Sequence, residues 1–326
     1  MSDVPPLKTP LMAQELLGQA SQSAVPAESP PAPHITVSQG GWAAAMLLLL
    51  QNVVSAVALQ GFGLPLGSSL LLSFISTVLV FRFAMPGTFR LLLADTRWRA
   101  RPNIGVALGA FALSFAASRF ILIFVLSLWP QGSQNIPQFQ SSGLDMWVLL
   151  LVAGVLIPIA EEVAFRGTLM RGLEWARGPL VAAVMSSLIF ALAHGAPAQI
   201  AAILPLAWVL ARVVQYSGSL WNSVIIHVLN NSLAVGLGAL LQGKNLSALG
   251  GDVAGLKIPL SLGLAGLLLG VTALIIASFW LRPRTSPQPE GGSIWTVSTV
   301  LLVVLVLGVV ALATLPLLVP GKFSGL

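Results

Sequence analysis

The chain has 326 residues, of which 56% are hydrophobic and only 8% carry a charge. A soluble globular domain has about a quarter of its residues charged, so that class is excluded. With no cysteine, disulfides, iron–sulfur clusters, thiolate zinc sites and cysteine nucleophiles are excluded as well.

Apolar runs of about 20 residues predict a polytopic, all-α membrane protein. The net charge of +6 is therefore not a nucleic-acid signal, because most of it lies in short links between apolar runs, where it sets topology. Residues 1–40, including His34, are rich in Pro, Ser, Gln and Ala and read as a disordered cytosolic tail. They show no basic segment leading into a short apolar core, so no signal peptide is predicted.

The first two spans are expected near 42–59 and 64–83. The polar loop after them carries Arg82, Arg90, Arg97, Arg99 and Arg101 against Asp95, which places it in the cytoplasm. A third span over 104–129 holds Arg119, and the stretch 130–145 lacks Lys and Arg and reads as outside. The fourth span starts near Met146, passes Glu161 and Glu162, and ends near Trp175. The fifth follows the turn Arg177-Gly178-Pro179 and stops at His194, before Gly195-Ala196-Pro197. Four more are expected over 199–216, 221–241, 258–281 and 294–318.

The expected fold is thus a bundle of about nine transmembrane helices, with the N-terminus inside and the C-terminus outside. Arg282 and Arg284 then fall inside, while Lys244, Lys257 and Lys322 fall outside. No internal repeat is visible, which disfavours a transporter built from inverted halves. The chain divides into the tail 1–40, N-terminal spans 41–145, a core 146–241 and C-terminal spans 242–326.

The core holds the residues that packing alone does not explain. Glu161 and Glu162 are adjacent in an apolar run, with Arg166 shortly after. Charges inside hydrocarbon cost several kcal/mol by most scales and face a cavity or a partner. Glu162 and Arg166 share a helix face and form a natural ion pair. Glu161 points about 100° away, free to act as a base. Spans four and five form a hairpin in which Glu161 and His194 both lie about 24 Å from the turn, so the two are level. Pro158 deprives the Gly154 carbonyl of its helical partner and is expected to kink the helix just before Glu161. On span seven, His227 and Asn231 share a face and suit either oxyanion stabilisation or structural bridging between helices.

Other polar residues have plainer readings. Arg119 and Arg212 are expected to snorkel or pair internally. Glu174 with Arg171 or Arg177 is expected to form an interfacial salt bridge of little energetic value. Tyr216 and Trp221 read as interface anchors.

Glu161-Glu162-x-x-x-Arg166, then Phe190-x-x-x-His194, then His227-x-x-x-Asn231 resemble the three motifs of the CAAX protease and bacteriocin-processing family. That family includes the type II CAAX prenyl endopeptidases and the lysostaphin-resistance-like proteins. Each motif alone is weak, and the ordered set on apolar helices is specific. The resemblance covers about residues 146–241. It implies an intramembrane endopeptidase in which Glu161 and His194 activate water, His227 and Asn231 stabilise the oxyanion, and Glu162 and Arg166 hold the site together. The substrate implied is a peptide or protein cut near its C-terminus or close to the membrane, with lipidation open.

Two water-activation routes remain at the level of sequence. If zinc is present, Glu161, His194 and His227 take three places and leave one for water. The metal-free route is favoured because His227 and Asn231 make a face suited to an oxyanion, so no cofactor is expected as a requirement. The competing functions are a non-catalytic membrane scaffold or bacteriocin-immunity protein and, behind them, a proton-coupled transporter with Glu161 as carrier. Partners expected are the substrate and the lipid bilayer, with no nucleic acid, and the lean loops point to a bacterial plasma membrane.

Overall fold

The computed structural model describes residues 33–135, 141–241 and 258–318. Residues 1–32 of the expected tail lie outside that set, as do Lys244, Lys257 and Lys322. Every regular element among the described residues is helical. Eight helices among the described residues are long and apolar enough to cross a membrane. The chain is an integral membrane protein of the expected all-α class.

Among the described residues, helix starts before the predicted tail boundary at residue 40. The first helix, α1, spans Val37–Ala56 and continues as a π-helical turn over Val57–Gly61. Thr36 and Gln39 close a capping box at its start, satisfying two of the N–H groups that a helix terminus leaves open. His34, assigned above to a loose tail, stacks on Trp175 with ring centroids 4.4 Å apart. After α1 come α2 (Leu66–Ala84), two short helices α3 (Pro86–Ala94) and α4 (Thr96–Arg99), and α5 (Ile104–Leu128). The predicted basic loop is therefore largely helical.

Next is a composite helix, α6, running Gly143–Arg177. Two π-helical stretches, Val152–Leu156 and Val163–Leu169, flank the α-helical segment Ile157–Glu162 that carries both glutamates. A π-turn inserts a residue into the helical ladder and re-aims the side chains around it, which is why such turns gather at functional sites. At the start of α6, Asp145 accepts hydrogen bonds from the backbone N–H groups of Gly67 and Ser68, each at 2.9 Å. It thereby caps α2 from another element.

The remaining helices are α7 (Pro179–Leu192), α8 (Pro197–Ser217), α9 (Leu220–Leu241), α10 (Leu260–Trp280) and α11 (Val297–Leu318). Their limits lie within three residues of the predicted spans. The exception in kind is α7. Its 14 residues reach about 21 Å at 1.5 Å per residue, short of a hydrocarbon core of about 30 Å. Gly195, at φ +75°, turns the chain, and Pro197 starts α8. His194 therefore lies in a turn among the helices rather than at the far end of a complete span. The buried core is built around α6, with Phe165, Leu169 and Met170 packed among side chains of α1, α7, α8 and α9.

At the other end of α6 the expected interfacial salt bridge is a buried network instead. The Glu174 side chain is fully buried, and its Oε2 lies 2.7 Å from Arg97 and 3.4 Å from Arg171. Arg171 also bonds Asp95 at 2.8 Å. Gln215 donates to Glu174 Oε1 at 2.8 Å and accepts from Arg212 at 3.1 Å. Burial pushes the Arg97 guanidinium below its ordinary range, and the Glu174 charge opposes that shift. Helical spacing does not reveal this cluster, because the acid's main partner, Arg97, sits on α4, outside the local i, i+3 and i, i+4 spacing. Arg212 follows its internal-pairing reading. Trp221, read as an interface anchor, also donates to the Trp98 carbonyl at 2.8 Å.

Candidate active site

The two glutamates occupy different environments, although they are adjacent. Glu162 is fully buried, and its Oε1 accepts from Arg166 Nη1 at 2.9 Å and from His227 Nδ1 at 2.9 Å. Arg166, equally buried, also donates from Nη2 to the Ala207 carbonyl on α8 at 3.1 Å. Its guanidinium lies 4.3 Å from the centre of the Phe190 ring, within cation–π range. One arginine thus joins α6, α7 and α8.

Glu161 keeps slight exposure, 12% of its side chain, and its Oε2 lies 3.6 Å from His227 Nε2. His227 therefore stands between the two acids. Because Glu162 takes the Nδ1 side, the ring is oriented with Nε2 toward Glu161. Fixing one imidazole nitrogen to set the task of the other is a general device.

His194, expected to be level with Glu161, has its own partners. Its Nδ1 lies 2.9 Å from the Phe190 carbonyl. A carbonyl only accepts, so Nδ1 carries the hydrogen and Nε2 the lone pair. Among the described residues no hydrogen bond or ion pair joins His194 to Glu161. What links them is Phe190, whose ring is edge-on to His194 at 5.0 Å, to His227 at 5.6 Å and to Phe165 at 5.0 Å. Equal depth by residue counting does not specify which side chains touch, and the imidazole beside Glu161 is that of His227.

Asn231 donates through Nδ2 to the Ala153 carbonyl at 3.4 Å, a long bond, and its Oδ1 accepts from Asn230 at 3.1 Å. Next to it, the Ser232 hydroxyl donates to the Gly154 carbonyl at 3.1 Å. Both acceptors lie one helical turn before Pro158. Residues 231 and 232 thus engage two carbonyls in the turn where the proline's missing N–H leaves one acceptor open.

Gln51 was not anticipated. It sits on α1 within an otherwise apolar run, with its side chain near the Glu161 carboxylate. The cue available in the sequence was the lone glutamine in Leu47-Leu-Leu-Leu50-Gln51, but nothing there tied α1 to α6. An apolar cavity of ≈ 160 Å³ lies beside these two helices, with Leu47, Phe81, Phe89, Ile159, Ala160 and Val163 among its walls.

The three residues considered as zinc ligands do not converge. No group of three or more His, Cys, Asp or Glu with metal-holding geometry occurs among the described residues. Glu161, His194 and His227 thus do not form a ligand set as they stand.

The order and spacing of these groups, two acids and an arginine on one helix, a histidine in the turn after α7 and a histidine on α9, agree with an independent finding. Residues 143–233 match the family model Type II CAAX prenyl endopeptidase Rce1-like. The matched segment spans α6 to most of α9, so it contains Glu161, Glu162, Arg166, His194, His227 and Asn231 and excludes Gln51. The resemblance to the CAAX protease family thus holds over the core, and it supports an enzyme of the CAAX protease type acting on a peptide or protein in the membrane. No curated protein and no solved structure matches the chain.

Proposed function

We propose that the protein is an intramembrane endopeptidase in which Glu161 activates water for attack on a peptide carbonyl. The observation that carries this reading is the pairing of His227 with both acids, 2.9 Å from Glu162 and 3.6 Å from Glu161, inside a segment matching a CAAX endopeptidase family. One carboxylate is committed to Arg166 and to orienting the ring, which leaves the other for chemistry.

Glu161 takes a proton from water as the oxygen attacks the carbonyl carbon, and later delivers it to the departing amine nitrogen. His227, when protonated on both nitrogens, donates from Nε2 to the oxyanion while Glu162 holds Nδ1. The lone pair on His194 Nε2 is available to hold the attacking water. Asn231 is the weaker member of the proposed oxyanion pair. Its amide is engaged with Ala153 and has to turn before it reaches substrate. The apolar cavity against Ile159 and Ala160, the residues that precede Glu161, supports a substrate with an apolar group next to the cleaved bond.

The test uses purified protein in detergent with paired CAAX-type peptides, with and without a prenyl group, read by mass spectrometry. Cleavage by the wild type and its loss in Glu161→Gln, with unchanged thermal unfolding, supports the reading. Wild-type rates in Glu161→Gln overturn it. Equal cutting of both peptides removes lipidation from the substrate definition.

A further inference from the structure

We infer that the elbow between α2 and α3 is a binding site for an anionic phospholipid, with an acyl chain in the apolar cavity and the headgroup phosphate on arginines at its rim. The inference does not rest on the catalytic reading above.

The cavity supplies the apolar half of the site. Residues of α1, α2, α3 and α6 form its walls, and none of them is charged. The one hydroxyl in the walls, that of Thr77, donates to the Ser73 carbonyl at 2.9 Å and is satisfied without a guest. An apolar cavity of about 150 Å³ takes a benzene-sized guest. This one, at ≈ 160 Å³, therefore holds a short length of hydrocarbon chain, and the rest of the lipid has to lie outside it.

Outside, the rim is basic. Arg82 lies in the last turn of the span α2, where a membrane helix meets the headgroups. Its guanidinium lies 5.3 Å from the centre of the Phe83 ring and 5.5 Å from that of Phe89, and Phe89 is a wall of the cavity. Arg90 follows Phe89 directly. Arg99 follows the wall residue Trp98 and donates through Nε to the carbonyl of Leu93, another wall residue, at 2.9 Å. All three arginines are exposed.

Positive charge at helix ends sets topology without forming any site, so charge alone decides nothing. The arrangement does. Asp95, the acid in this segment, is committed to Arg171 at 2.8 Å, and Arg97 turns inward to Glu174 at 2.7 Å. Among the described residues no ion pair reaches Arg82, Arg90 or Arg99. Arg90 is held through Nε on the Pro86 carbonyl at 3.3 Å, as Arg99 is on Leu93. These side chains are thus fixed while their terminal Nη groups, among the described residues, make no hydrogen bond. Such groups bind phosphate oxygens strongly. A fixed basic rim around an apolar cavity fits a molecule with a phosphate at one end and a chain at the other. A lipid there occupies the cavity assigned above to the substrate's apolar group, so the two compete for it.

The test needs no turnover. Purified protein in a non-ionic detergent is titrated with phosphatidylglycerol or with phosphatidylcholine of the same chains, and bound lipid is counted by native mass spectrometry. Phosphatidylglycerol is expected to bind about tenfold more tightly, and Arg82→Gln/Arg90→Gln to remove that preference. Should the double variant fail to fold, each single variant is expected to remove part of it. Val78→Trp, at the wall on α2, is expected to weaken both lipids by crowding the chain. The control Arg177→Gln/Arg282→Gln removes two other exposed arginines and is expected to change nothing. Glycerol 3-phosphate is expected not to displace the lipid. Equal binding of the two lipids, an equal loss in the control pair, unchanged binding in Val78→Trp or displacement by glycerol 3-phosphate each overturns the site, the second by reducing it to diffuse surface charge and the last by making it a site for free phosphate.

Discussion

Ser232 donates its hydroxyl to the Gly154 carbonyl at 3.1 Å, in the turn before Pro158, which has no N–H to give. A break in a membrane helix needs such a substitute because no water is present to satisfy the exposed carbonyl. The contact also sets how close α9 comes to α6, since a methyl group on Gly154 would lie 3.0 Å from the Ser232 Oγ and 3.3 Å from its Cα. Ser232→Ala is expected to cost about 1 kcal/mol. Gly154→Ala is expected to cost about 1–3 kcal/mol by overpacking. Thermal unfolding in detergent measures both, and a Gly154→Ala protein as stable as wild type would contradict the close approach.

The Glu162–Arg166 pair predicts a separation between stability and activity. Both side chains are fully buried, so removing one partner strands a charge. Glu162→Ala is expected to lose about 3–5 kcal/mol and to reduce the yield of folded protein. Arg166→Lys is expected to fail in part, because an ammonium cannot at once bond Glu162, bond Ala207 and lie flat on the Phe190 ring. Glu161→Gln, by contrast, keeps the fold. Gel filtration of detergent-solubilised protein distinguishes these outcomes. Comparable losses in Glu161→Gln and Glu162→Ala would refute the division of labour between the two acids.

The helices were legible because a bilayer demands long apolar runs, and their ends fall where Gly and Pro punctuate the chain. The Glu162–Arg166 pair was also legible, since i, i+4 spacing on a helix states proximity directly. What residue counting misjudged was lateral contact. It put His194 level with Glu161, yet level residues on neighbouring helices meet only if both side chains point at each other. Here the π-turns around residues 157–162 re-aim the α6 side chains, and no sequence signal marks them beyond Pro158. Gln51 and Arg97 escaped notice for a related reason. Each meets a residue on a helix distant in sequence, and periodicity describes only the face of a single helix.

The Arg97–Glu174 contact, 2.7 Å apart and buried on both sides, predicts that α4 docks through charge. Glu174 also accepts from Gln215, Arg171 and Ser286, so donors from four positions meet on it. Glu174→Ala leaves Arg97 unpaired in a buried position and is expected to cost about 3–5 kcal/mol. Arg177→Ala is the control. Arg177 bonds the Gly292 carbonyl from an exposed position, and its loss is expected to change stability by no more than about 0.5 kcal/mol. Protease sensitivity of the 86–101 segment reports the difference, rising in Glu174→Ala and unchanged in Arg177→Ala.

Phe190 predicts that the site depends on an aromatic ring without reactive atoms. The ring lies under the Arg166 guanidinium at 4.3 Å and meets the edges of His194 and His227 at 5.0 and 5.6 Å. Phe190→Leu keeps an apolar side chain but removes the charged π-face and the flat surface against which both imidazoles are set. The two histidines would then lose their mutual register. A misplacement of about 1 Å in a catalytic constellation costs about a hundredfold in rate. The cleavage rate constant is therefore expected to fall between about tenfold and a hundredfold, with a smaller change in KM because the ring lies behind the histidines. Steady-state kinetics on whichever peptide the wild type cuts provides the check. An unaltered rate constant in Phe190→Leu would mean that the histidines are held by their own hydrogen bonds, Nδ1 to the Phe190 carbonyl for one and Nδ1 to Glu162 for the other, with no help from the ring between them.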